Sequence, residues 1–413
     1  MIPNFTLTTF VTRIYSNLDP ICVETLLRAM EGVTRIAEHL ITAEMLTIFG
    51  LIFDGWSHAS GRFIAVFACY EVDCVMKTPL LPLLDTLDED LSARGHYEFL
   101  ADMLPRDFGK QITGCLFLVD DNCAVNRLLA TRMGVPLMGC ARHQLNRAVQ
   151  ADMQQHEEDL ATVQALMVRL RTLKQSAKLR QNTTLRPVIR HDTRWSSTFL
   201  MVHRYFRLLK HIDATDNAVV DVLPSPASNK PFRALLNDLK KIESVPKALQ
   251  ADNVSLRDVR VWFDGLIAIK PHYATYLGPR ANIVPSPDFE SVCVRVLEGK
   301  AIRLTRGEKS ALRPFHCEDA SDQAAGQTAK SGDEGSFIEQ LLKRRRLASV
   351  APRYELLGSI PPTPNIAERF FCVARTTYGQ ERHSLQPITL EMLLFLRQNE
   401  QYWSARIVDK ATR

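Results

Sequence analysis

Two aspartates stand where a phosphate-handling metal site would need them. Asp54 follows the apolar run Leu46-Thr-Ile-Phe-Gly-Leu-Ile-Phe53, in the context Phe-Asp-Gly-Trp. Asp121 lies 67 residues further on, after the run Ile112-Thr-Gly-Cys-Leu-Phe-Leu-Val119, in the context Asp120-Asp121-Asn122. Short continuous apolar runs predict strands buried on both faces, and ligands of open α/β sheets collect at strand ends. Two neighbouring carboxylates repel, and a hard divalent cation, Mg²⁺ or Mn²⁺, relieves that repulsion. A third acid would complete a site for two such ions, suited to in-line phosphoryl transfer.

Three further groups could touch a nucleic acid or a metal. Cys140-x-x-His143 offers two of the four ligands that a structural zinc site needs, and no second pair joins it. No structural zinc is expected; the plain alternative is a buried cysteine and a histidine that starts a helix. Arg194-Trp195 sets a cation beside a large ring, a pairing able to stack on a base, and the tryptophan equally suits a core. From Arg142 to Lys210 thirteen basic residues face five acidic ones, an excess of eight in a chain of net charge +5. Such a stretch can track a phosphate backbone, with salt-dependent binding, or form a solvated helix face. Lys343-Arg-Arg-Arg346 resembles a nuclear localisation run.

The chain that must position these groups has 413 residues, 46% hydrophobic and 23% charged. That composition is ordinary for a soluble globular protein and excludes a wholly disordered chain, a collagen and a coiled-coil rod. No apolar run reaches the ~18 residues that span a bilayer, so no membrane partner is expected. No secretory signal pattern opens the chain. Nine scattered cysteines without a Cys-x2-Cys pair fit a reducing compartment.

Residues 1–45 read as a helical segment, with Leu26, Met30, Val33, Ile36 and Leu40 at helical spacing. Strands are predicted over 46–53, 62–70 and 75–84, the last at an edge because of Pro79 and Pro82. A helix over 88–108, a strand over 112–119, a helix over 124–132 and a short strand over 136–140 follow. A long helical stretch then covers about 144–180, and residues 194–309 read as helical without strands. Residues 318–336 lack large apolar groups and read as a flexible linker. Helix resumes over 337–347 and again over 365–411, after Pro361, Pro362 and Pro364. The order predicts an α/β protein with a mixed sheet. Near the C-terminus Phe370, Leu394, Phe395, Leu396 and Trp403 supply more apolar surface than one short helix needs. A dimer or intramolecular packing would bury it.

Five blocks, in order, resemble the hAT superfamily of DNA transposases and proteins derived from them. They are Leu-Ile-Phe-Asp54-Gly-Trp56-Ser; Val-Asp-Asp121-Asn122-Cys-Ala-Val-Asn126; Gly-Cys140-Ala-Arg-His143-Gln-Leu-Asn146; and Thr-Arg194-Trp195-Ser-Ser-Thr. The last joins Asn-Ile-Ala-Glu368-Arg369-Phe370-Phe-Cys to Arg382-His-Ser-Leu385 and to Leu393-Leu-Phe395-Leu396-Arg-Gln-Asn399, with Trp403.

The resemblance implies an RNase H-like core over 46–193, a helical insertion over 194–317, the linker over 318–336, and a C-terminal part with a dimerisation region over 337–413. It implies a catalytic, metal-holding triad of Asp54, Asp121 and Glu368, with Mg²⁺ or Mn²⁺. Asp120 rivals Asp121, which is preferred because the family acid directly precedes the asparagine of its motif. It further implies DNA contacts by His143, Arg194 and Trp195, and dimerisation through Phe370, Leu394, Phe395, Leu396 and Trp403. DNA, a homodimer or higher oligomer, and the nucleus follow as expected partners and place. The implied chemistry is metal-assisted attack of water, and later of a DNA 3′-hydroxyl, on a phosphodiester.

The pattern departs from the family in two ways. No BED-type zinc finger precedes Asp54, which suggests a truncated or domesticated copy, and Cys372 stands where the family has serine. Two main function classes result: a metal-dependent transposase, or a non-enzymatic nuclear protein that dimerises and binds DNA or partners. An RNase H-like nuclease with a cellular substrate would share the chemistry without needing the dimer block.

Overall fold

The structure, a computed structural model, describes residues 22–58, 61–73, 75–85, 92–191, 195–251, 253–301, 304–316, 354, 356–379 and 386–412. The expected linker over 318–336, the helix over 337–347, the basic run Lys343–Arg346, Arg382–Leu385 and Arg194 lie outside these residues. The fold is mixed α/β, with six strands and a majority of helix among the described residues. It divides into two compact units, one of Met1–Leu116 and Ile366–Arg413, the other of Phe117–Asn365.

In the first unit α1 (Val23–Glu44) buries Ala29, Val33, Ala37 and Ile41, a stripe at every fourth residue. β1 (Phe49–His58) and β2 (Gly61–Val72) pair antiparallel, with Asp54 opposite Ala65 and Trp56 opposite Phe63. β3 (Val75–Lys77) and β4 (Leu80–Asp85) also pair antiparallel with β2. The stretch read as one strand over 75–84 is therefore two. Pro79, without an N–H, sits in the break, and Pro82 sits on β4 at the edge, where a missing donor is tolerated.

α2 (Ala93–Phe108) starts later than expected, where Ser92 accepts the Gly95 N–H, and ends at Gly109 with φ +60°. Close backbone approach explains Gly114, just before β5 (Cys115–Asp120): a Cβ there would lie 2.2 Å from the Thr47 carbonyl oxygen.

The second unit begins inside β5. After α3 (Ala124–Met133), β6 (Leu137–Gly139) returns parallel to β5, with Asp120 opposite Gly139. A parallel pair needs such a crossover. Gly134, at φ +69°, ends α3 by donating to the Ala130 and Thr131 carbonyls.

The long helical stretch then proves to be three helices, α4 (Ala141–Met153), α5 (Glu157–Leu170) and α6 (Leu173–Asn182). Its breaks fall where Glu157, Glu158 and Asp159 favour a new N-terminus and where Thr172 precedes α6. Helices continue as expected: α7 (Trp195–Leu208), α8 (Asn229–Ile242), α9 (Ser244–Ala248), α10 (Leu256–Ile269), α11 (Ala274–Leu277), α12 (Pro287–Leu297) and α13 (Arg306–Ala311).

Their shared core includes Leu145, Val163, Met167, Tyr205 and Phe232. Asp152 is buried within this unit and accepts from Lys270 Nζ at 2.6 Å and the Tyr273 hydroxyl at 3.2 Å; His272 Nε2 lies 3.1 Å away. Burial pushes that carboxyl up, yet Lys270 and Tyr273 hold it below its ordinary value.

The chain closes the first unit with α14 (Asn365–Gly379), α15 (Pro387–Gln398) and α16 (Ala405–Thr412). Phe370, Leu394, Phe395 and Leu396 are buried inside this unit, and Trp403 is half-buried, its Nε1 donating to the Leu396 carbonyl at 2.7 Å. Of the two ways to bury this apolar surface, packing within the chain accounts for Phe370, Leu394, Phe395 and Leu396 here.

Asn399 is fully buried and works as a strand end. Its Nδ2 donates to the Leu80 carbonyl at 2.9 Å and its Oδ1 accepts the Leu80 N–H at 3.0 Å. Asn399→Ala strands both backbone groups and should cost about 2–4 kcal/mol, read as a lower denaturant midpoint at unchanged slope. An unchanged midpoint would mean that water replaces the amide.

Glu391 gives a pH prediction. Burial, with Glu38 and Asp107 nearby, pushes its carboxyl up to about 7, and burial pushes Glu38 up as well. The native state keeps protons that the unfolded chain releases above its ordinary carboxyl value. Stability should therefore fall as pH rises from about 5 to about 8, and Glu391→Gln should shrink that fall in urea titrations run across the range.

Candidate active-site carboxylates and a basic cleft

Asp54 and Glu368 belong to the first unit. Residues Ile52, Asp54 and Trp56 alternate onto one face of β1, and their register partners Phe67, Ala65 and Phe63 share it. α14 packs on that face: Phe370 meets Phe67 edge-on at 5.7 Å, and Phe371 stacks on Trp56 at 5.7 Å. Trp56 also stacks on Phe63 at 5.4 Å. Asp54 thus stands on the face that the helix covers, two residues before Trp56. Glu368 stands in the first turn of α14, three residues before Phe371 and on the same side of the helix.

One ring contact therefore sets the offset between the strand and the helix that carry these two acids. Both residues are half-buried, and Asp54 Oδ1 accepts the Gly55 N–H at 2.9 Å. The plain reading of Glu368 as a carboxylate favoured by a helix N-terminus also holds in this position.

Asp121 belongs to the second unit, at the carboxyl end of β5. Asp120 is buried and accepts the Asp121 N–H at 2.6 Å, while Asp121 is exposed. The Asp121 Oδ1 accepts Asn126 Nδ2 at 2.8 Å and the Cys123 N–H at 3.1 Å. Asn126, in the first turn of α3, is itself buried and so fixes the orientation of this carboxylate. Of the two rival aspartates, Asp121 is the solvent-facing one and Asp120 the buried one.

His143 lies in the first turn of α4, just past the carboxyl end of β6, and is exposed. Cys140, one residue before that helix, is buried, and its N–H donates to the Asp120 carbonyl at 3.0 Å. The Cys-x-x-His pair is thus split between interior and surface.

Trp195 opens α7 and is only 4% exposed; its N–H donates to Asn146 Oδ1 at 3.1 Å, and its ring meets Phe199 at 6.3 Å. Most of the ring is thus enclosed by the local core. The ring nonetheless borders a cleft of about 430 Å³ whose wall includes Arg147, Arg190, His191 and Tyr276. Arg190 donates to Glu157 at 2.9 Å through Nη1, which neutralises part of this wall. Arg147 is exposed. The basic excess pointed to this region, but nothing local in the sequence joins Tyr276 to it.

The donor set of the three expected catalytic acids is hard carboxylate oxygen, which suits Mg²⁺ or Mn²⁺. Among the described residues no group of three or more His, Cys, Asp or Glu side chains is gathered to hold an ion. Mg²⁺ commonly takes one or two carboxylates together with substrate phosphate oxygens rather than a full protein cage. No described helix is long and apolar enough to cross a membrane.

If the cleft meets phosphates, Arg147→Ala weakens binding of any duplex about equally and lowers the salt slope of binding by about one. Fluorescence anisotropy of a labelled duplex across a salt series measures both, and an unchanged slope takes Arg147 off the phosphate path. Neither a scan against protein-family models nor a search of curated proteins returned a match for this chain.

Proposed function

We propose that this chain is a hAT-type transposase-like protein that cleaves and joins DNA phosphodiesters, on an RNase H-like core, with Asp54, Asp121 and Glu368 as its acids. The observation that carries this reading is that all three acids of the resemblance are present, in order, each at a defined element. Asp54 lies on β1, Asp121 directly follows β5 and Glu368 lies in the first turn of α14. Support also comes from the residues that hold them: Asn126 for Asp121, and the Trp56–Phe371 stack for the strand and helix bearing the other two.

In this proposal Mg²⁺ or Mn²⁺, when bound, activates the attacking oxygen and stabilises the leaving one. The protein's part is positioning. Asn126 keeps one Asp121 oxygen occupied and so aims the carboxylate. In this reading His143, exposed at the start of α4, contacts a phosphate, and exposed Arg147 adds positive charge on the cleft wall. The nucleus and a homodimer belong to the same proposal; with Phe370, Leu394, Phe395 and Leu396 buried, a partner would have to meet other surface.

The second reading is a non-enzymatic protein that binds DNA or partners with the same elements. A single experiment separates the two. The full chain is incubated with supercoiled plasmid and Mg²⁺ or Mn²⁺, beside Asp54→Ala, Asp121→Ala and Glu368→Ala variants of equal unfolding midpoint. The enzyme reading expects metal-dependent nicking that each variant lowers at least about a hundredfold, since such a site supplies several kcal/mol. Nicking that persists in all three variants, or none by the parent chain, supports the non-enzymatic protein.

A further inference from the structure

Two paired helices of the second unit, α7 and α8, carry a charged face that neither the carboxylates nor the cleft uses. They pack through Tyr205 and Phe232, whose ring centroids lie 6.4 Å apart, and the Tyr205 hydroxyl donates to Asn229 Oδ1 at 2.8 Å. Along their shared edge the Arg233 guanidinium lies over the Phe206 ring, 4.6 Å from its centroid. Further along, Lys240 of α8 is near enough to His203 of α7 for its charge to act on the imidazole. The order is reversed between the helices, Phe206 with Arg233 and His203 with Lys240, so they run in opposite senses. His203 and Arg207, one turn apart, share a side of α7, and Arg233 and Lys240, two turns apart, share a side of α8.

The protein does not answer the charges of this face. Elsewhere in the unit acids meet the exposed cations: Asp216 meets Lys178 at 2.6 Å, Glu243 meets Lys247 at 3.0 Å and Asp288 meets Arg280 at 3.1 Å. Arg207, Arg233 and Lys240 are exposed, and among the described residues no acid pairs with them. His203 registers the resulting field. Burial first, then Lys240, Arg207 and Arg204, holds its imidazole below the ordinary histidine value, against the pull of Glu243. The helix dipole accounts for Arg207 and Lys240, each in the last turn of its helix. It does not account for Arg233, which lies toward the other end of α8.

A cluster of one sign repels itself and is relieved by a partner of the opposite sign. The cations here form two rows, on helices that pack about 8–10 Å apart. A phosphate backbone matches such an array, because each cation that meets a phosphate also releases counterions. Arg233 covers one face of the Phe206 ring, so the surface offers charge to a backbone rather than an open ring to a base. The same helix leads to it from the cleft: Trp195 borders the cleft at the start of α7, and His203 is about 12 Å further on at the helical rise.

We propose that the face formed by His203, Arg207, Arg233 and Lys240 is a docking surface for the phosphate backbone of duplex DNA, separate from the cleft and indifferent to base sequence. This assignment rests on the reading of the chain as a DNA-binding protein and not on its cutting DNA.

The test is fluorescence anisotropy of the full chain with two labelled duplexes of unrelated sequence across a salt series. Arg207→Gln, Arg233→Gln and Lys240→Gln, combined in one chain, should weaken binding of both duplexes at least about tenfold at about 0.1 M salt and lower the salt slope by about three, close to one for each phosphate lost. Arg207→Lys with Arg233→Lys keeps the charges and should retain most of the slope. A control chain with Arg28→Gln, Arg35→Gln and Lys410→Gln, three exposed cations of the first unit, loses the same charge and should leave the slope nearly unchanged. Each variant is first matched to the parent in unfolding midpoint. If the triple variant does not fold, the three single variants serve, each lowering the slope by about one. A slope that the face variants leave unchanged, or that the control lowers as far, would overturn the docking surface and leave the DNA-binding reading standing. A loss confined to one duplex would overturn its indifference to sequence. An oligoglutamate peptide that binds the parent and not the triple variant, with the DNA slope unchanged, would give the face to an acidic protein instead. A parent chain that binds neither duplex at any salt would overturn the DNA-binding reading itself.

Discussion

The first unit is organised by the need to bury both faces of β2. Residues 63–70 are all buried, and a strand whose side chains alternate between two faces cannot achieve that with one cover. On one face Phe67 meets Phe370 and Trp56 meets Phe371, which brings α14 down. On the other, the Tyr70 hydroxyl donates to Glu44 at 3.0 Å and Tyr402 donates to the same oxygen at 2.6 Å. Burial pushes the Glu44 carboxyl up, yet the two hydroxyls and Lys77 hold it below its ordinary value. A charged acid at this depth is tolerable because its oxygens are satisfied. The polar cluster on one face and the aromatic stack on the other fix the helices that enclose the strand, and the stack also places Asp54 and Glu368.

This arrangement explains why the C-terminal aromatics and leucines are conspicuous in the sequence. Their amount signals a demand for burial, and the amount alone does not say whether a second chain or the same chain meets it. The strands that meet it lie some three hundred residues away in sequence. Phe67 meets Phe370, and Leu80 exchanges two hydrogen bonds with Asn399. Such pairs carry no periodic signal, so the apolar block could be noticed and its partner could not.

What was legible follows the same physics. Continuous apolar runs located β1, β2 and β5 because doubly buried strands cannot alternate with polar residues. Pro79 and Pro82 were legible as signs of an edge, but not as the break between β3 and β4, and the Gly134 that closes α3 was not read at all. The expected acids also came with near neighbours that position them, Asn126 five residues after Asp121, Trp56 two after Asp54, and Phe371 three after Glu368. The role of Trp195 divided two ways in sequence because an aromatic at a helix start serves stacking and packing equally well. The structure gives it 4% exposure and a place at the edge of the cleft.

The second unit was least legible because its polar chemistry is assembled over long separations. Asp152 counted in the sequence only as one acid among thirteen bases, yet it anchors Lys270 and Tyr273 from more than a hundred residues away. Glu290 and Arg260 give no motif at all; they become notable only because each keeps a buried polar atom without a hydrogen-bond partner. The two cases differ in how completely the fold answers them. Asp152 is fully answered by the fold, with a cation and a hydroxyl on its oxygens, so its energy is spent on holding helices together. Glu290 and Arg260 are answered on one side only. Asp152 is hidden in sequence because its partners lie far along the chain, and Glu290 and Arg260 are hidden because a buried atom left without a partner gives no sequence signal at all.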